Sequence, residues 1–319
     1  IKVYLTQLHN NIRFVIVLNK LLYYAFVFPL SKMPLQFIYT ILFPLRFIPY
    51  RKKVILKNIK MSFPNNTAKE NNEITKQFYI YFSRLLAESI HNLNISKKNL
   101  SKRIVVKNPE VMDELYANHK NVILVSAHYN NWEFLITAQN FLFKHQALGI
   151  GMPMTNKFWD KKINSQRERF GMQVVNAKNY KDKLKEYANI PTATLVLGDQ
   201  NPSKPYNSFW TTFLNQTSAF TFGAEIMANQ ADSAVVYANI KRVKNGYYEI
   251  ELDLLSDTPR TESYGNVTEK YVTILQKNIR NNPQFWLWSH KRWKMDVPKN
   301  LEVLKNEHKD RFNKKFRGI

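Results

Sequence analysis

The sequence predicts an α/β fold: a mixed, partly parallel central sheet with helices on both faces, plus an N-terminal apolar helical membrane segment. Three observations carry this. Short β-branched runs alternate with helix-period stretches across residues 104–197, the pattern that builds strand–helix–strand units. Asn245-Gly246 separates two long strand-like runs, a hairpin signal that adds an antiparallel pair. Residues 12–50 are rich in apolar and aromatic side chains and lead into a cluster of cations. No repeat or low-complexity linker divides the remainder, so the expected organisation is a membrane-associated segment at 1–55 and one globular domain at 56–319.

Within the N-terminal segment, the apolar runs 14–18 and 21–30 are broken by Asn19 and Lys20. A third run, 35–48, contains Pro44 and Arg46 and is bracketed by Pro34 and Pro49. No window reaches the roughly 18 uninterrupted apolar residues of a confident span. Tyr23, Tyr24, Phe26, Phe37, Phe43 and Phe47 instead precede or flank Arg46, Arg51, Lys52, Lys53 and Lys57, which suits a segment lying on an anionic leaflet. The alternative is a set of core helices capping the domain.

Further along, Phe78, Phe82, Leu85, Leu86, Ile90 and Leu93 mark one face of a helix. A short strand at 104–106 and a helix after Pro109 precede the strand at 122–125. Asn130 and Asn131 can cap a helix through Leu142. Strands at 147–151, 172–175 and 192–197 then alternate with helices at 157–170 and 180–188. Thr217 or Ser218 can cap a helix running to Gln230. The hairpin strands cover 233–244 and 247–255, a last helix covers 266–280, and the Lys-rich tail from Lys294 reads as solvated surface.

Composition bounds the chemistry. Forty-seven Lys and Arg against 24 acidic residues give a formal charge of +23, which favours anionic partners: nucleic acid, acidic lipid headgroups, phosphorylated small molecules or an acidic carrier protein. Absence of Cys excludes disulfides, thiolate catalysis and zinc-thiolate sites. The seven His are scattered without ligand spacing, so neither a metal nor another cofactor is expected.

Residues 121–133 hold the most informative chemistry. The strand stops at the small residues Ser126 and Ala127 just where His128 appears, and Glu133 falls in the first turn of the following helix. His128 stands before the helix start, so the turn can fold its imidazole toward that carboxylate, a general-base arrangement. Asp199 also follows a strand end, and ligand sites in α/β sheets gather at the carboxyl ends of strands.

Four blocks can be read together: Ser-Ala-His-Tyr-Asn-Asn-Trp-Glu at 126–133, Arg-Glu-Arg-Phe-Gly at 167–171, Gly-Asp-Gln at 198–200, and Trp-Leu-Trp-Ser-His-Lys-Arg-Trp-Lys at 286–294. In this order and spacing the chain resembles the bacterial lipid A biosynthesis acyltransferases, the lauroyl/myristoyl acyltransferase family, within the wider glycerolipid acyltransferase group. The resemblance implies transfer of a fatty acyl group from an acyl-carrier-protein thioester, or acyl-CoA, to a hydroxyl of a membrane glycolipid at the cytoplasmic face of the inner membrane. It implies His128 as catalytic base and Glu133 as its acidic partner. Asp199 would be a second orienting carboxylate or the holder of an arginine. Of the two arginines in the basic block, Arg169 is slightly preferred as the catalytic cation and Arg167 is assigned to substrate. Asn131, Gln200, His290 and Arg292 are further expected substrate-side residues, the last two in the aromatic-basic block that would face phosphate or the membrane interface; the alternating tryptophans there equally suit core filling.

Two departures stand out. Ala127 occupies a place where Gly commonly precedes the histidine, and the N-terminal apolar region is interrupted. Other readings of the same residues are an aminolipid or lysophospholipid acceptor, or a non-catalytic basic protein that binds membrane or nucleic acid; no nucleic-acid module is recognisable, and a nucleic-acid partner is not expected.

Overall fold

The computed structural model describes residues 17–177 and 179–319. A seven-stranded sheet runs in the order β1-β9-β8-β2-β5-β3-β4. Its strands are β1 (Ile104–Val106), β2 (Val122–Ser126), β3 (Gln146–Gly151), β4 (Gln173–Asn176), β5 (Thr192–Leu197), β8 (Ala234–Lys244) and β9 (Tyr247–Ser256). β2 pairs in parallel with β5 and β8, β5 with β3, and β3 with β4. β9 runs antiparallel to β8, and β1 is parallel to β9. The sheet is therefore mixed and mostly parallel.

β2 explains why the sheet is covered on both faces. All five of its residues are buried, and alternation sends Ile123 and Val125 to one face and Val122 and Leu124 to the other. On the first face they meet Met227 of the helix Gly223–Ala231 and Tyr271, Val272 and Leu275 of the helix Asn266–Asn281. On the second they meet Met112 of the helix Glu110–Ala117 and Phe134, Leu135 and Ala138 of the helix Trp132–Leu142. A long helix, Ala68–Asn92, opens with a capping box between Thr67 and Glu70 and borders the sheet.

Among the described residues no helix is long and apolar enough to cross a membrane. The expected N-terminal helical membrane segment is instead a series of short pieces, including Leu35–Leu42 and a 3₁₀ turn, Phe43–Phe47. Residues 1–16, including part of the first apolar run, lie outside the described residues. Leu35 and Ile38 pack on Ala87 of the helix Ala68–Asn92, and Tyr23 stacks edge-on with Phe158 and Trp159. Pro34 and Pro49 lie at the breaks, where each removes a backbone donor and disfavours helix in the residue before it, while Pro29 and Pro44 sit in the first turns of short helical pieces, where a missing donor is tolerated.

Two expectations change. Residues 216–221 form a strand, β7 (Gln216–Thr221), paired with β6 (Ser208–Phe213) in a separate hairpin, so the helix begins at Gly223 rather than at Thr217 or Ser218. Leu214 and Asn215 both adopt positive φ, which makes a tight hairpin turn that the cap signal hid. The Lys-rich tail forms a helix, Leu301–Phe316, that buries Phe312 and His308 against Phe222 and Tyr264. Residues 286–293 form no strand ladder; one isolated bridge joins Trp286 to Tyr129.

Candidate active site

Two adjacent parallel strands deliver the central pair. β2 and β5 are in register from Val122 opposite Ala193 to Ser126 opposite Leu197, and the ladder continues one step as Gly198 N–H donates to the Ser126 carbonyl. The residues just past each strand end, His128 and Asp199, are thereby brought together. The Nδ1 of His128 lies 2.8 Å from Oδ1 of Asp199, which also accepts the His128 backbone N–H at 3.0 Å. The indole N–H of Trp286 donates to Oδ2 at 2.9 Å. Asp199 is 2% exposed. Burial alone would raise its carboxyl; the facing His128 and the hydrogen bonds from its ring, from Trp286 and from the His128 backbone outweigh that and hold it at about 2.

An ionised Asp199 fixes the tautomer of His128, because the Nδ1 facing a carboxylate must carry hydrogen. The Nε2 then bears the lone pair, and the amide nitrogen of Gln200 lies 3.1 Å from it. The edge of Trp132 packs on the imidazole with ring centres 4.9 Å apart. Ser126, two residues before the histidine, donates its hydroxyl to the Ala238 carbonyl and is held as part of the sheet.

Glu133 takes a different partner. Its two oxygens receive Nε and Nη2 of Arg167 at 3.1 and 2.6 Å, and the Trp132 indole N–H at 3.2 Å. Burial opposes the Arg167 charge, but the Glu133 carboxylate outweighs it and keeps the guanidinium firmly cationic. Trp132 thus touches both His128 and Glu133. Asn131 is fully buried: its Oδ1 caps the helix Trp132–Leu142 through Phe134 N–H, and its Nδ2 donates to Glu88 at 2.6 Å.

The family model of the bacterial lipid A biosynthesis acyltransferases matches residues 7–295. The chain belongs to this family. It is also 19% identical over 251 residues to the lipid A biosynthesis lauroyltransferase of Escherichia coli (strain K12), covering 78% of this chain and 81% of that protein. Membership makes the protein an acyltransferase, of the class that acts on lipid A-like acceptors.

In this acyltransferase the remaining sequence-selected residues occupy distinct places. Arg169 donates to the carbonyls of Asn92, Leu93 and Ile95, closing the C-terminal end of the helix Ala68–Asn92; the fold brings Arg167, rather than Arg169, to Glu133. Arg292 is buried at 1% exposure, donates to the Ala219 carbonyl and packs over the Phe220 ring, a core position rather than a face toward phosphate. Burial lowers its guanidinium to about 10. His290 accepts the Asn201 backbone N–H through Nε2, next to Gln200, and burial lowers it to about 4, so it is neutral above that range. Trp286 and Trp132 are the residues that pattern reading underused. Their signal was a ring nitrogen that has to find an acceptor once buried.

Proposed function

We propose that this acyltransferase moves a fatty acyl group from an acyl-carrier-protein thioester to a hydroxyl of a lipid A precursor, with His128 as general base and Asp199 as its orienting carboxylate. The observation that carries the reading is the Trp286–Asp199–His128 chain of hydrogen bonds, which leaves Nε2 as the proton acceptor. The acceptor hydroxyl would replace the Gln200 amide at Nε2. As its oxygen attacks the thioester carbonyl, His128 takes its proton; collapse of the tetrahedral intermediate breaks the C–S bond, and His128 returns the proton to the departing thiolate. The Glu133–Arg167 pair, tied to His128 through Trp132, holds a fixed cation beside the reacting carbonyl or an acceptor phosphate.

Association with the cytoplasmic face of the inner membrane is supported by the N-terminal segment, where Phe37, Phe43, Phe47 and Ile48 are exposed beside Arg51, Lys52 and Lys53. A donor carried by an acidic protein is supported by the +23 charge.

The deciding experiment incubates the purified protein and its His128→Ala variant with mixed acyl-carrier-protein thioesters and a lipid extract, followed by mass spectrometry. A phosphorylated glycolipid that gains one acyl mass only with the intact protein supports the proposal. Turnover that survives His128→Ala removes the base from the mechanism, and gain of an acyl group by lysophospholipid alone replaces the acceptor.

A further inference from the structure

A cavity of about 350 Å³ lies away from His128, between the segment 36–46 and the helix Ala68–Asn92, with Asn245 of the β8–β9 turn at its rim. Arg46 and Arg84 line it from opposite walls. Burial disfavours the charge on Arg84, the positive charges of Arg242 and Arg46 add to this, and Tyr39 and Glu88 oppose it only in part. Like charges gathered in this way repel, so the arrangement calls for an anion.

The protein's own anions answer it only in part. Among the described residues the arginine ion pairs are Arg167–Glu133 and Arg260–Asp232, elsewhere in the fold. Glu88 is the one carboxylate whose charge reaches Arg84, and both its oxygens are taken: Oε1 by Tyr39 at 2.6 Å, Oε2 by Asn131 and Tyr248 at 2.6 Å each. The Nε atoms of Arg46 and Arg242 are buried without an acceptor. Arg46 is stacked over Phe43 at 3.6 Å and Phe47 at 4.6 Å, which fixes the plane of its guanidinium before any ligand arrives.

Two guanidinium groups lining one cavity offer more donors than a carboxylate has oxygens, and suit a phosphate. The surroundings select its source. A second cavity of about 500 Å³ shares Arg46 and Ile80 with the first and is lined by Phe47, Ile48, Lys52 and Lys76. Exposed apolar side chains, Phe43, Phe47 and Ile48, thus continue from the cationic pocket along the surface. We infer that the pocket bounded by Arg46 and Arg84 is a discrete site for the phosphate of a membrane lipid, distinct from the diffuse attraction of a basic surface.

Binding is read without acyl donor, so the outcome does not depend on the acyl-transfer proposal. The full-length protein is titrated with phosphatidylglycerol vesicles and with phosphatidylcholine vesicles at physiological ionic strength. Arg46→Gln and Arg84→Gln are each expected to lose about tenfold in affinity for the anionic vesicles. Arg84→Lys, which keeps the charge but not the fork, is expected to lose at least about threefold. Lys314→Gln, the same charge change on the C-terminal helix, should bind like the parent. Thermal midpoints confirm that each variant folds, and Arg84→Lys serves if a Gln variant does not. Equal losses in Lys314→Gln and the arginine variants, or full binding by Arg84→Lys, overturn the inference. So does complete competition by millimolar inorganic phosphate, which assigns the pocket to a soluble phosphate.

Discussion

The imidazole of His128 is held at 2.8 Å by Asp199, a residue 71 positions away, and not by the acidic residue of its own motif. Glu133, at the first turn of the helix that follows, is engaged by Arg167. The two carboxylates should therefore have separable effects on rate.

Asp199→Asn should reduce kcat by roughly a thousandfold or more while KM changes little, because an amide no longer fixes the base-competent tautomer. Steady-state kinetics of acyl transfer checks this. A mild effect, with Glu133→Gln the more damaging change, would move the orienting role to Glu133.

Glu133 and Arg167 should behave as a unit. Each is at least three-quarters buried by its side chain, so removing one leaves a charge partly desolvated, at a cost of about 2 kcal/mol. A double-mutant cycle with Glu133→Gln and Arg167→Met, followed by urea denaturation, should show the double variant close to the more damaged single one. Strict additivity would mean that the contact has no energetic coupling.

Trp286→Phe removes a donor to Asp199. The Asp199 carboxyl is at about 2 in the fold and near 4 when unfolded. Its contribution to stability is thus fully present above about pH 4 and disappears as pH falls toward 2. With the indole gone its folded value rises, so the acid loss of stability should be smaller and end at a higher pH in Trp286→Phe than in the parent, while its onset, set by the unfolded chain, stays near pH 4. Thermal midpoints between pH 2 and 5 measure it.

His290 and His308 are both lowered by burial to about 4, against roughly 6.5 in an unfolded chain. Between those values the unfolded chain binds more protons. Stability should be fully present above about pH 6.5 and decline as pH falls toward 4. His308→Gln should flatten that decline while leaving acyl transfer nearly unchanged, since His308 packs under the C-terminal helix against Phe222.

Gly198→Ala should impair the site through the helix Asn266–Asn281. A Cβ there would lie 2.8 Å from the Tyr271 hydroxyl, which donates to the Gly198 carbonyl from a fully buried position. The expected cost is about 1–3 kcal/mol with a fall in kcat, and Tyr271→Phe in the same chain should restore part of both. Parent-like kinetics in Gly198→Ala would show that the backbone before Asp199 has slack.

Much of the sheet was legible because β2 and β5 are continuous β-branched runs that end at small residues, and the Asn245-Gly246 turn marks its own hairpin. The positions of His128 and Asp199 at strand ends followed from the same pattern. Their mutual contact did not, since strand order and register are long-range properties and Glu133 is the nearer acid in the chain. The choice between Arg167 and Arg169 was likewise hidden. Two residues apart, they leave the helix end in different directions, one toward Glu133 and the other toward the carbonyls that end the helix Ala68–Asn92. At 216–221 hydroxyl residues that suit a helix cap pair equally well in a strand, and the positive-φ turn at Leu214 and Asn215 decided the matter.

The tryptophan that completes the hydrogen-bond chain lies 87 residues beyond Asp199. A polypeptide emerging from the ribosome therefore presents His128 long before the Trp286 donor to Asp199 exists. Incomplete chains and early folding intermediates hold every local motif yet lack the closed constellation. The closed arrangement of His128, Asp199 and Trp286 thus requires a chain made at least as far as residue 286.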